Sequence, residues 1–186
     1  DREILLAGVD PRTKIVPLSP AGDPIGQISD VLADFTGIES LSILSHGSPG
    51  QLHLAGRVVD LTALSEAAPH LLRIKAALTP DAEVTLVACA SGAGTAGAQF
   101  TDGLEDALGV PVHAPSAPLG GDAGWHALPA AAPLFSSEVL ATSAHRLATL
   151  NGSRLAYTLL CTAAAHELPG PAPNDTTSGC GGHAPI

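Results

Sequence analysis

Two stretches decide how this chain is read: Glu39–Gly47, ESLSILSHG, and Glu83–Gly92, EVTLVACASG. Each opens with a short, mostly apolar run of strand length and closes on a reactive side chain followed by small residues. Leu41, Ile43 and Leu44 lead to His46 and Gly47, and Val84, Leu86 and Val87 lead to Cys89. Short strands of this kind, in a chain rich in aliphatic residues and Ala and poor in aromatics, suit a parallel sheet packed by helices.

Working outward, helical and extended patterns alternate around these runs. Glu3–Val9 reads as a buried strand ended by Asp10-Pro11, and Lys14–Leu18 as a weaker one that Pro17 confines to an edge. Ile25, Ile28, Val31, Leu32 and Phe35 recur at helical spacing within Pro24–Phe35, before a stop at Gly37. Gln51–Val59 predicts a hairpin, LHL against RVV around Ala55-Gly56, and Asp60 caps one helix running to about Leu78. A helix over Thr95–Leu108 places Phe100, Leu104 and Leu108 on one face, and Val110–His113 is a short strand. Gly120-Gly121-Asp122 reads as a loop, and Trp125 as the anchor of a last strand or lid. Ser136–Leu150 reads as helical. This order predicts one α/β domain over residues 1–150, a mostly parallel central sheet with helices on both faces. A C-terminal helix over 151–168 follows, then a flexible tail over 169–186 rich in Pro, Gly, Ser and Thr.

Composition narrows the function classes. The 186 residues suffice for a core that needs no metal or disulfide staple. A formal charge of −10 with only eight Lys and Arg offers no basic stripe, so neither nucleic acid nor an anionic membrane surface is an expected partner. No apolar run is long enough for membrane insertion. Cys161 and Cys180 would be able to pair in an oxidising compartment, leaving Cys89 as a thiol; in a reducing one all three stay thiols.

The chemistry points to His46 and Cys89. Ligands in open α/β sheets bind outside the carboxyl ends of the strands, where both residues fall. An imidazole there can take the proton of a thiol, and the thiolate is the nucleophile. The helix after Cys89 favours the anion, and the Gly47 and Cys89 amides are candidates for an oxyanion hole. Ser45, Ser48, Ala88, Ala90, Ser91, Gly92, Asp122 and Trp125 are the candidate substrate-pocket residues around this dyad.

The blocks LSILSHG (residues 41–47) and VTLVACASG (residues 84–92) resemble the caspase-like cysteine peptidases, which include caspases, gingipains, legumains and the self-cleaving domains of large bacterial toxins. More closely, SILSHGSPGQLHL, LVACASGAGTAGAQF and GGDAGW resemble an uncharacterised bacterial family, domain of unknown function 4347. That family occurs near the start of very large repeat-containing surface or secreted proteins. The resemblance covers about residues 3 to 128. It implies a caspase-like three-layer sandwich, a general base at His46, a nucleophile at Cys89 and no cofactor. It also implies a peptide or protein substrate, which the parent chain itself would suit. Val87 stands where caspases carry Gln, so their Asp preference is not expected. With no Met in the sequence, Asp1 reads as the first residue of a processed or partial chain. The resemblance places it outside the cell or on its surface.

Other readings compete. Gly92, Gly94 and Gly97 form a G-x-G-x-x-G between strand and helix, the dinucleotide context, but the next strand ends in His113-Ala-Pro-Ser without a carboxylate. Close helix packing explains the same glycines. The eight His residues show no metal-ligand spacing, so no metal is expected, and Ser48 lies outside any nucleophile elbow. The alternative to an enzyme is a non-catalytic head, export or interaction module on the same fold.

Overall fold

A computed structural model of the chain describes residue 9, residues 13–120, residues 125–127, residue 135 and the backbone of residues 158–163. The expected strand over 3–9 (but for residue 9), the helix over 136–150, Asp122, Cys180 and the tail over 169–186 lie outside the described residues. In chain order the elements are β1 (Lys14–Pro17), α1 (Pro24–Leu32), β2 (Ile38–Leu44), β3 (His46–Ser48), β4 (Gln51–Leu54) and β5 (Arg57–Val59). Then come α2 (Leu61–Glu66), α3 (Ala68–Ala77), β6 (Leu78–Val87), α4 (Gly94–Leu108), β7 (Val112–His113) and β8 (Thr158–Ala163).

The two deciding stretches are neighbours. β2 and β6 pair in parallel, with Leu41 beside Val84 and Leu44 beside Val87, and β7 extends the parallel set beyond β6. The five-stranded sheet runs β1-β8-β2-β6-β7, with β8 antiparallel to both of its neighbours. It is therefore a small mixed sheet around a three-stranded parallel core. β1 sits at its edge, where Pro17 does no harm.

Three expectations are corrected. Residues 158–163 form a strand, not part of a helix: TLLCTA is short, carries β-branched Thr at two positions, and completes the open side of β2. The helix expected over 60–78 is two. Asp60 does cap its start, accepting from the Ala63 amide at 3.0 Å. The ladder breaks at Ala67, because Pro69 has no N–H to continue it. β6 begins at Leu78, ahead of the expected Glu83, through an irregular segment holding Pro80.

Helices on both faces were also expected. Among the described residues they share one face: Ile28 and Leu32 of α1, Leu64 of α2, Leu71 and Ile74 of α3, and Phe100, Leu104 and Leu108 of α4 join one core with Leu41, Val84 and Leu86. The connections β2–β6 and β6–β7 step across the sheet in the same direction, and right-handed crossovers then deliver both to the same side. The opposite face is covered by Leu119, Trp125 and Phe135, which pack on Leu44, Val87 and Cys89. Among the described residues no helix is long and apolar enough to cross a membrane.

α1 is the best-capped helix. Both carboxylate oxygens of Asp23 accept backbone N–H groups, from Ile25 at 3.2 Å and Gly26 at 2.8 Å, and Pro24 pre-sets the first turn. Asp23→Ala is expected to lower stability by about 1 kcal/mol, read as a lower urea midpoint with an unchanged slope.

Candidate active site

Beyond Leu44 and Val87 the register carries on: the Ser45 amide donates to the Val87 carbonyl at 3.2 Å, which sets the next two residues on each side together. The chain then turns into a second sheet, β3-β4-β5, in which the expected hairpin gains a third strand that starts at His46. The hairpin turn itself is as expected, with Ala55 and Gly56 both at positive φ.

The two loops are locked against one another. A Cβ built on Gly47 would lie 2.9 Å from the Ala88 Cβ and 3.0 Å from the Cys89 carbonyl oxygen, so only glycine admits this approach. The Gly50 amide donates to the Ser91 carbonyl at 3.0 Å, and a Cβ on Gly50 would meet the Ala96 backbone. The His46-Gly47 turn thus rests on the Ala88-Cys89 turn at the carboxyl ends of adjacent parallel strands.

His46 is half-buried. Both ring nitrogens are buried, and among the described residues neither has a hydrogen-bond partner, the Cys89 sulfur included. Burial, with a smaller contribution from the neighbouring imidazole of His53, pushes its pKa below the ordinary histidine value. His53 is the cross-strand partner of His46. Its Nε2 lies 3.2 Å from the Ser48 hydroxyl, which donates onward to Gln51 Oε1 at 3.1 Å. The sequence reading missed His53 because it did not pair HGS with QLHL, the pairing that aligns the two imidazoles.

Cys89 is not solvent-reachable, contrary to expectation. It is only 2% exposed and belongs to the apolar cluster of Leu44, Val87, Leu119, Trp125 and Phe135. Its Sγ accepts from the Leu119 amide at 3.2 Å and donates to the Leu119 carbonyl at 3.6 Å. Leu119 lies 30 positions downstream in a stretch without periodicity, so no sequence signal marked it as the cover. The other pocket candidates are also largely structural. Ser45 is buried and donates to its neighbour's carbonyl (His46 O, 2.8 Å), and Ser91 is buried and donates to the Ala88 carbonyl at 3.0 Å. Ala88 is buried as well, Ala90 takes a positive φ, and Gly92 packs on Ala114. Trp125 packs on Phe135 with ring centroids 6.3 Å apart.

The glycines after Cys89 are used in packing: a Cβ on Gly97 would lie 2.2 Å from the Gly92 carbonyl carbon. Among the described residues no three His, Cys, Asp or Glu side chains converge as a metal-binding group. An open depression of about 320 Å³ is lined elsewhere, by Asp23, Arg57, Glu66 and His70 among others.

A family model, Domain of unknown function (DUF4347), matches residues 1–145. The chain belongs to this family. No curated protein and no solved structure matches the chain. The DUF4347 match spans β1 to β7 and so includes both His46 and Cys89.

Proposed function

We propose that this DUF4347 domain is a caspase-like cysteine endopeptidase, described here in a closed form with its nucleophile covered. The observation that carries the reading is the pair of His46 ring nitrogens, buried and without a hydrogen-bond partner among the described residues, on the turn that rests against Cys89. A buried polar group without a partner costs stability, and a role in catalysis is one explanation for keeping it. A histidine kept neutral is the form that accepts a proton, as a general base must.

In this mechanism His46 takes the Cys89 proton and the thiolate adds to a peptide carbonyl carbon. The Gly47 and Cys89 amides face the oxyanion. His46 then returns the proton to the leaving amine as the C–N bond breaks, leaving a thioester on Cys89. Water, deprotonated by His46, hydrolyses it. The substrate is a peptide or protein, and the parent polypeptide, exported to the cell surface or beyond, is the first candidate. Access requires the segment ending at Leu119 to lift, a local opening that leaves the sheet intact.

The packed sulfur favours a second reading, a non-catalytic interaction module in which Cys89 is a core residue. Iodoacetamide labelling of the native chain, mapped to Cys89 by peptide mass, separates the two. An ordinary thiol with pKa ~8.5 is only about 0.1% ionised at pH 5.5, so labelling there reports an activated thiolate. The peptidase reading expects Cys89 labelling at mildly acidic pH and a loss of about tenfold or more in His46→Gln. Equal rates in both proteins, rising with pH like an ordinary thiol, would leave the module.

A further inference from the structure

The way Leu119 meets Cys89 has the form of a peptide held in a binding site. Three contacts lay residues 115–119 along the Cys89 turn: the Gly92 amide on the Pro115 carbonyl at 3.0 Å, the Ala90 amide on the Ala117 carbonyl at 3.0 Å, and the Leu119 amide on Sγ at 3.2 Å. Alternate residues of one segment meet the turn in reverse order, as in an added antiparallel strand. Main-chain bonds of this kind hold an extended peptide irrespective of sequence, and side-chain pockets then supply selectivity. One such pocket is filled here. The Leu119 side chain is fully buried and packs among Leu44, Val87, Trp125 and Phe135, beside the sulfur.

We propose that Leu119 occupies, in cis, the subsite for the residue whose carbonyl Cys89 attacks, so that the substrate carries a leucine-like aliphatic side chain there. Segment 115–119 is then a tethered competitor that a substrate must displace. This inference rests on the peptidase reading. The described lining of the subsite is apolar, with Leu44, Val87, Trp125 and Phe135 and no charged group among them, so acidic or basic side chains at that position are disfavoured by desolvation. The cavity that Leu119 vacates matches one branched aliphatic side chain.

The test uses peptidyl acyloxymethyl ketones identical except for Leu, Asp, Lys or Gly at the position that reacts with the thiol, against wild type, Leu119→Ala and Leu119→Val. The Leu reagent is expected to label Cys89 at least tenfold faster than the Asp, Lys and Gly reagents in every protein that folds. Leu119→Ala is expected to label about tenfold faster than wild type, with Leu119→Val between them. Circular dichroism and the thermal midpoint report folding, and if Leu119→Ala does not fold, the wild-type ranking still decides. A purely structural Leu119 would, on truncation, accelerate all four reagents alike. An absent ranking, or Asp or Lys leading, overturns the subsite, and His46-dependent iodoacetamide labelling would then leave the peptidase reading standing. No native labelling of Cys89 by any reagent overturns both.

Discussion

Gly97→Ala is expected to destabilise the domain by about 3 kcal/mol, whereas Gly103→Ala on the same helix is expected to be neutral or slightly stabilising. The contrast follows from what each new methyl group would meet. At Gly97 the Cβ would lie 2.2 Å from the Gly92 carbonyl carbon and 2.6 Å from its oxygen, both backbone atoms of the turn after Cys89. No rotamer relieves that contact, so α4 or the turn must shift. α4 carries Phe100, Leu104 and Leu108 into the main core, and a shift loosens all three. At Gly103 the Cβ would meet only the end of the Leu61 side chain, which is substantially exposed and able to rotate away. There the helical preference of Ala over Gly, about 1 kcal/mol, decides the sign. Urea unfolding of the two variants beside wild type checks the pair. A tolerated Gly97→Ala would mean that α4 does not seat on the Cys89 turn as described, and the case for a tightly built turn would fall with it.

That packing also explains why some features were readable in the sequence and others were not. Local physics was legible. The apolar runs ending at Leu44 and Val87 are interior strands, Asp60 caps its helix, Phe100, Leu104 and Leu108 form a buried stripe, and Ala55-Gly56 turns a hairpin. The sequence placed both runs in a mostly parallel sheet, and as parallel neighbours they bring their carboxyl ends together whatever covers them. What depended on distant segments was hidden. TLLCTA has no pattern that separates strand from helix, and only the unfilled side of β2 makes it a strand. The burial of Cys89 depends on Leu119, Trp125 and Phe135, which reach it from a stretch of Pro, Gly and Ala without a period to read. A G-x-G-x-x-G spacing, similarly, states that small residues are needed. Whether a phosphate or the chain's own backbone comes close is decided by tertiary contact, and here Gly97 meets Gly92.

His46→Leu is expected to stabilise the domain by about 1–3 kcal/mol at neutral pH, and by more in mild acid. Two buried ring nitrogens without partners among the described residues carry a desolvation penalty that an aliphatic side chain of similar size does not. The pH dependence has a definite sign. Burial, then His53, lowers the folded-state pKa of His46, so below the ordinary histidine value of about 6.5 the unfolded chain binds a proton that the folded chain resists. This contribution therefore destabilises the wild type as the pH falls from about 6.5 toward the lowered value, and is constant below it. His46→Leu removes it, while His53, His70 and His113 remain in both proteins, so the gap between variant and wild type should widen across that interval. Thermal midpoints of both proteins from pH 8 to pH 5 measure it. A variant less stable than wild type would show that the imidazole is satisfied in solution, and the observation behind the peptidase reading would be lost. If His46→Leu gains stability while His46→Gln loses the acid-side labelling of Cys89, the imidazole weakens the fold and the proposed chemistry at Cys89 accounts for its presence.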